Sequence, residues 1–339
     1  MRIHPLCTIA LVGATLAGEP TMRAAVVGPG TVQVREVPRP VAGPGQVLVK
    51  IRYAGVNPSD WKSAGGSSDD PATSVRSSAG SGASAVGAAS IPGLDGAGVI
   101  TAVGSGVSGY RIGDAVIVWS QARGSYAQYL AVPADTITRK PARLSFAEAA
   151  GVAHAGLAAW NLLIDLAGVH AGQTVLVLGA AGGVGSAAIQ IASNRGAQVM
   201  ATASARNAGY LRALGATTVF DYNAQHFEDQ LRAIDIAVNT VDLDNAYRAL
   251  AVLRRGGHLV SSAGLPPAAQ CAARAVICSA RTLTGTPVRI ALKQLADWAQ
   301  AGKFKVNIDQ TFELTEVLKA WQYSQAGHTR GKSVIRISD

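Results

Sequence analysis

Cysteine is scarce. The 339 residues hold three, Cys7, Cys271 and Cys278, and no two of them form a CxxC pair. Three is too few and odd for a disulfide framework, which points to a reducing compartment, and the missing CxxC excludes a cysteine zinc lobe. Runs of Lys or Arg are also missing. The formal charge of +9 is scattered along the chain, which suits solubility and attraction for an anionic cofactor better than a nucleic-acid surface. An apolar run long enough to cross a bilayer is absent too, since the stretch from Leu6 to Ala17 is too short. Behind Arg2 and His4, that stretch reads either as a secretory signal or as an extension upstream of a chain beginning at Met22, the reading preferred here. What is present is apolar content, 48% of residues, enough for two domains each with a core.

Glycine is plentiful, and its most concentrated use is VLGAAGGVGSAAIQIA. The preceding TVLVLG is β-branched and apolar, as in a buried parallel strand, while the residues after it have helical spacing and end on Gly196. Ala180, Gly182 and Gly185 hold the three small positions of a dinucleotide fingerprint, with Gly183 and Val184 between them. Such a turn is tight, lets backbone approach a pyrophosphate and packs helix on strand. Its helix start offers unpaired N–H groups and roughly half a positive charge. A ligand-free glycine turn would look similar, so the neighbours decide. Gln198 to Ala203 reads as a second strand, Asn207 to Leu214 as a helix and Thr217 to Tyr222 as a third strand, completing a βαβαβ unit.

The second strand of such a unit normally ends near an acid that binds the ribose 2′-hydroxyl of NAD. Here Ser204 and Arg206 follow it, with no acid nearby. A hydroxyl and a guanidinium fork suit a 2′-phosphate, so the chain is expected to prefer NADP(H). Two solvated polar residues are the plainer alternative.

Residues 22–143 contain short alternating strands broken by Gly and Pro, as in a β-barrel. Within them, residues 63–90 hold almost no large apolar side chain and read as a flexible surface loop. From Leu144 to Thr286 strands and helices alternate; Lys293 to Ala301 then reads as a helix, and KSVIRI as a last strand returning to the first domain. The expected division is an extension at 1–21, a catalytic domain at 22–143 and 287–339, and a dinucleotide domain at 144–286, with the active site in the cleft between them.

The stretches GPGQVLVKIRYAGVNPSDWK, IPGLDGAGVITAVGSGVSGYRIGDAV, GSYAQYLAVP, AGVHAGQTVLVLGAAGGVGSAAIQIA, LGATTVFDY and RGKSVIRI together resemble the medium-chain dehydrogenase/reductase superfamily. Within it they are similar to the zinc-free quinone oxidoreductases of the zeta-crystallin-like branch. The resemblance covers nearly everything from Met22 onward. It implies an α/β chain in which a GroES-like β-barrel catalytic domain carries an inserted Rossmann domain with a doubly wound parallel sheet, and it implies a homodimer. Zinc-dependent members place cysteine after Gly-Val in the first stretch and histidine after Pro-Gly in the second. Asn57 and Leu94 stand there instead. His154 falls near a third ligand position, but one imidazole does not hold a catalytic zinc, so no metal is expected. His154 is then either a packed histidine facing the cleft or a polar contact to nicotinamide or substrate.

The resemblance places Asn57 beside nicotinamide and substrate, where its amide would bond an acceptor carbonyl. Asp60 is expected to hold its loop. Lys62, where relatives often carry tyrosine, is either a donor to a developing enolate or a solvated lysine. Tyr222 matches a residue that covers adenine or touches a 2′-phosphate, and Asn239 and Thr240 sit at a strand end that the cofactor crosses. Arg330 and Lys332 either reach the cofactor or cleft or are a plain basic pair before an edge strand.

Without a Lewis acid to hold an alkoxide, acceptors that take hydride readily are favoured: quinones and α,β-unsaturated carbonyls. The expected activity is therefore NADPH-dependent, zinc-independent hydride transfer to such small molecules in the cytoplasm, with no membrane partner and no nucleic acid. A dedicated enoyl reductase of a biosynthetic pathway is one alternative. The other is a weakly catalytic NADPH-binding sensor or nucleic-acid binder. The 63–90 stretch departs from relatives, which usually bridge it with a shorter, more apolar segment walling the substrate pocket.

Overall fold

In the computed structural model, residues 20–28, 31–64, 90–282 and 284–339 are described. The expectations for the extension at 1–21 and the loop at 63–90 fall almost wholly outside them.

Two sheets organise the chain. The first is parallel, with six strands in the order Ala216–Asp221, Gln198–Ala203, Thr174–Leu178, Ile234–Asn239, Leu253–Ser261 and Ile277–Ala280. Its central strands are almost wholly apolar, as strands covered on both faces must be; Val175, Leu176, Val177 and Leu178 are fully buried. The order reverses beside Thr174–Leu178, and the glycine turn leaves that strand at the reversal, where ligands of open α/β sheets bind.

The second sheet has seven strands. Gln46–Gly55 is its hub: it pairs antiparallel with Asp95–Val103, Tyr129–Pro133 and Lys332–Arg336. Ala115–Trp119 and Ile137–Arg139 continue one side, and Ile308–Glu313 lies parallel to Lys332–Arg336 on the other. Thr21–Gly28 and Thr31–Pro38 form a separate two-stranded ribbon. One apolar core joins the sheets, since Val175, Val177, Ile189 and Ile191 share it with Ala97, Ile117 and Val334. The two sheets thus share one packed interior.

Three local outcomes differ from the sequence reading. The helix expected at Lys293 begins earlier, spanning Val288–Gln300 behind Pro287, because proline suits a helix start. Residues Asn161–Leu166 form a π-turn, whose widened hydrogen bonding leaves no mark in apolar spacing. Cys271 and Cys278 are disulfide-bonded, with Cα atoms 6.1 Å apart. Three cysteines exclude a framework but not one local bridge. The chain turns back between helix Ala268–Ala273 and strand Ile277–Ala280, bringing the pair within range.

Candidate active site

The glycine turn shows why each small residue stands where it does. A Cβ at Gly185 would lie 2.4 Å from the Gly179 carbonyl and 2.7 Å from the Ala180 Cα; only glycine lets the helix pack so closely on the strand. Ala180 itself is fully buried. Gly179 has φ +72°, and a Cβ there would meet the Thr240 hydroxyl at 2.4 Å. At Gly182 a Cβ would find only the Gly179 carbonyl, at 3.6 Å, so this residue faces open space. Helix Gly183–Asn194 starts there without a side-chain cap, so its first N–H groups face the turn unpaired by a cap. The cradle therefore fits a dinucleotide pyrophosphate, with Gly183 and Val184 in the helix's first turn.

Beyond the second strand, Ser204, Arg206 and Arg330 come together. Arg330 donates from Nε to the Asn207 Oδ1 at 2.9 Å and from Nη2 to the Arg206 carbonyl at 3.0 Å. Asn207 donates in turn to the Ser204 hydroxyl at 3.2 Å. The Arg206 side chain is exposed. Tyr222 is also exposed and bonds through its backbone N–H to the Ala203 carbonyl. Asn239 is fully buried and spends its amide on Ser261, the Asp242 carbonyl and the Val241 N–H. Thr240 donates to the Leu178 carbonyl at 2.8 Å. These two brace the strand ends that frame the cradle.

Against the start of helix Gly183–Asn194, through Lys332, packs a buried polar cluster. Asn57, 1% exposed, donates its backbone N–H to Asp60 Oδ2 at 2.9 Å and its amide Nδ2 to Asp95 Oδ1 at 2.7 Å. Its Oδ1 accepts from the Lys332 ammonium, which also donates to the Val56 carbonyl at 2.8 Å. The other oxygen of Asp95 accepts from the His154 backbone N–H at 3.0 Å. Asp60 takes a second donor, the Tyr126 hydroxyl, at 3.0 Å, while Arg123 stands 3.7 Å away. The loop role expected of Asp60 matches these contacts.

Burial perturbs titrations in this cluster. Burial first, and then the nearby Asp95, raise Asp60 to about 6. Burial, then the positive charges of Arg281, Lys332 and Arg123, hold the half-buried His154 well below the usual imidazole range. His154 therefore stays neutral at pH 7. Lys62 stands apart, exposed on helix Pro58–Ala64 with its ammonium 5.7 Å from the Trp61 ring centre. A surface groove of about 1020 Å³ is lined by Tyr110, Arg139, Lys140 and Arg289. It shares no residue with the cradle or the polar cluster.

The sequence reading missed Asp95, Arg123, Tyr126 and Arg281. A signal existed for Asp95, a lone acid heading the apolar run DGAGVI, because a buried carboxylate needs partners. None marked the other three.

Among the described residues, no group of three His, Cys, Asp or Glu side chains is placed to hold a metal ion, and no helix is long and apolar enough to cross a membrane. Residues 43–142 match the alcohol dehydrogenase GroES-like domain, 150–253 the C-terminal domain of alanine dehydrogenase/PNT, and 214–335 the zinc-binding dehydrogenase family. Over 327 residues the chain is 34% identical to 2-methylene-furan-3-one reductase of Solanum lycopersicum, covering 90% of this chain and 76% of that one. It is 31% identical to the chloroplastic NADPH-dependent alkenal/one oxidoreductase of Arabidopsis thaliana, over 86% and 72% of the two chains. The solved quinone oxidoreductase of Coxiella burnetii superposes with a TM-score of 0.81 at 29% identity, over 94% of this chain and 100% of that one. The chain belongs to the medium-chain dehydrogenase/reductase superfamily of nicotinamide-dependent oxidoreductases. Among its relatives are reductases of conjugated carbonyls and quinones.

Proposed function

We propose that the protein is an NADPH-dependent, zinc-independent reductase of quinones and α,β-unsaturated carbonyls. NADPH held at Gly182 to Gly185 would supply a hydride, becoming NADP+, and the reduced acceptor would take its proton from water. The chain's part is to align the two molecules and to stabilise the acceptor's carbonyl oxygen.

One observation carries the reading: the buried Lys332–Asn57–Asp95 cluster beside the glycine cradle. Asn57 stands at the family's cysteine position, with its oxygen on an ammonium, an arrangement for donating hydrogen bonds and not for ligating zinc. The grouping of Ser204, Arg206 and Arg330 supports the choice of NADPH. In this reading Tyr222 lies along the adenosine half, Gly182 to Gly185 hold the pyrophosphate, and His154, as a neutral imidazole, borders the nicotinamide. Lys62 serves the mouth of the site. The protein works as a homodimer, for which the exposed edge strand Ile277–Ala280 is available.

The test is NADPH oxidation by chelator-treated protein with a small quinone, a simple enone and a saturated ketone. Turnover of the first two without metal is expected. NADPH binding with no acceptor reduced would refute the reading.

A further inference from the structure

Among the described residues, Lys332 is the one lysine or arginine that is buried, 5% exposed. Its stem fills the space left by two glycines. A Cβ at Gly183 would lie 2.8 Å from the Lys332 Cδ, and one at Gly151 3.3 Å from its Cβ and Cγ. The second glycine of the AAGGVG turn is thus accounted for by this lysine. The residue before it, Gly331, donates its N–H to the Ala181 carbonyl at 2.8 Å and bridges Gly182. One dipeptide therefore ties the cradle to the acceptor side.

The partners of Asn57 decide how its amide faces. An ammonium only donates, so it takes Oδ1; the Asp95 carboxylate accepts, so it takes one Nδ2 hydrogen. The other Nδ2 hydrogen has no partner among the described residues. Donation into the amide oxygen draws electron density from the amide and makes that remaining N–H a stronger donor.

We propose that Lys332 is a positioning residue of the reduction: it locks the Asn57 amide so that an N–H, and not the oxygen, meets the acceptor carbonyl, and it strengthens that N–H as the carbonyl oxygen gains charge. The inference rests on the acceptor side assigned above. Lys332 acts through Asn57 and touches neither reactant.

Lys332→Met keeps the stem over Gly183 and removes the charge. Three quantities are read on the full chain: kcat with but-3-en-2-one, the Kd for NADPH, and the affinity of NADP+-loaded protein for 4-nitrophenolate, whose oxyanion stands in for the enolate. The kcat and the 4-nitrophenolate affinity are expected to fall about 100-fold, as when an oxyanion donor is lost, while the NADPH Kd changes by less than about threefold. In an Asn57→Ala background the lysine change costs little more, because the amide it acts through is gone. A loss confined to NADPH binding, or costs that add across the double mutant, would overturn the proposal. If the Met variant does not fold, Lys332→Gln, which keeps a neutral donor, is read instead: its kcat and 4-nitrophenolate affinity should fall below wild type by less than about 100-fold, and a 4-nitrophenolate affinity equal to wild type would overturn the proposal. Wild-type protein that binds NADPH yet reduces no acceptor refutes the proposed function and this role with it, whereas wild-type turnover of but-3-en-2-one with kcat unchanged in Lys332→Met overturns this inference alone.

Discussion

The glycine cradle and the polar cluster beside it are made of opposite materials. The cradle side offers backbone, small residues and a helix start, whereas the acceptor side packs Asp60, Asp95 and Lys332 out of water around one amide. The contrast follows from what each ligand brings. A pyrophosphate arrives charged and needs only N–H groups and room. A carbonyl acceptor arrives neutral and gains charge during the reaction, so the protein must keep oriented dipoles ready for it.

The largest effect is expected where the cradle has no slack. Gly185→Ala drives a Cβ into backbone at 2.4 Å, and backbone cannot move aside as a side chain does. Loss of about 3 kcal/mol or more is expected, together with NADPH binding, measured by thermal unfolding with and without cofactor. Normal stability would mean that the turn is looser than its packing indicates. On the acceptor side, Asp95→Ala strands the Asn57 amide and the His154 N–H. A cost of about 3 kcal/mol in urea unfolding is expected, since breaking buried charge clusters is expensive. A cost near zero would show that the acceptor side tolerates uncompensated charge.

Arg206→Glu sharpens the comparison on the cofactor side. It should weaken NADPH by about 10- to 100-fold, the range for a lost charge-assisted contact, and leave NADH nearly unchanged in a titration. Equal losses for both cofactors would remove Arg206 from the 2′-phosphate. The smallest effect is a pH dependence. With Asp60 raised to about 6, the folded protein holds that proton more tightly than the unfolded chain. Its contribution to stability is complete below pH 4 and is lost as pH rises through 6. Asp60→Asn should remove this part of the slope; unfolding curves at pH 4.5 and 7 that differ equally in both proteins would contradict the shift.

Much of the cradle was legible because its signals are local. Strand Gln198–Ala203 has the bounds that its residues suggested, and the glycine spacing placed the turn. The acceptor side was legible only in pieces. Asn57 and Lys332 were singled out separately, yet 275 positions separate the pair that shares a hydrogen bond. Nothing in a sequence window joins them. Tyr126 looked like one more aromatic in a strand, and its bond to Asp60 spans 66 positions. The disulfide was missed for another reason: counting cysteines ignores a chain reversal that brings two of them together.

Periodicity, glycine placement and the residues after the second strand were enough to establish a dinucleotide fold joined to a β-rich partner, because such patterns express forces acting over one turn or one strand. Which buried charge faces which amide depended on strand Lys332–Arg336 crossing back to Gln46–Gly55. Electrostatics inside a protein acts over ångströms of space and is indifferent to distance along the chain.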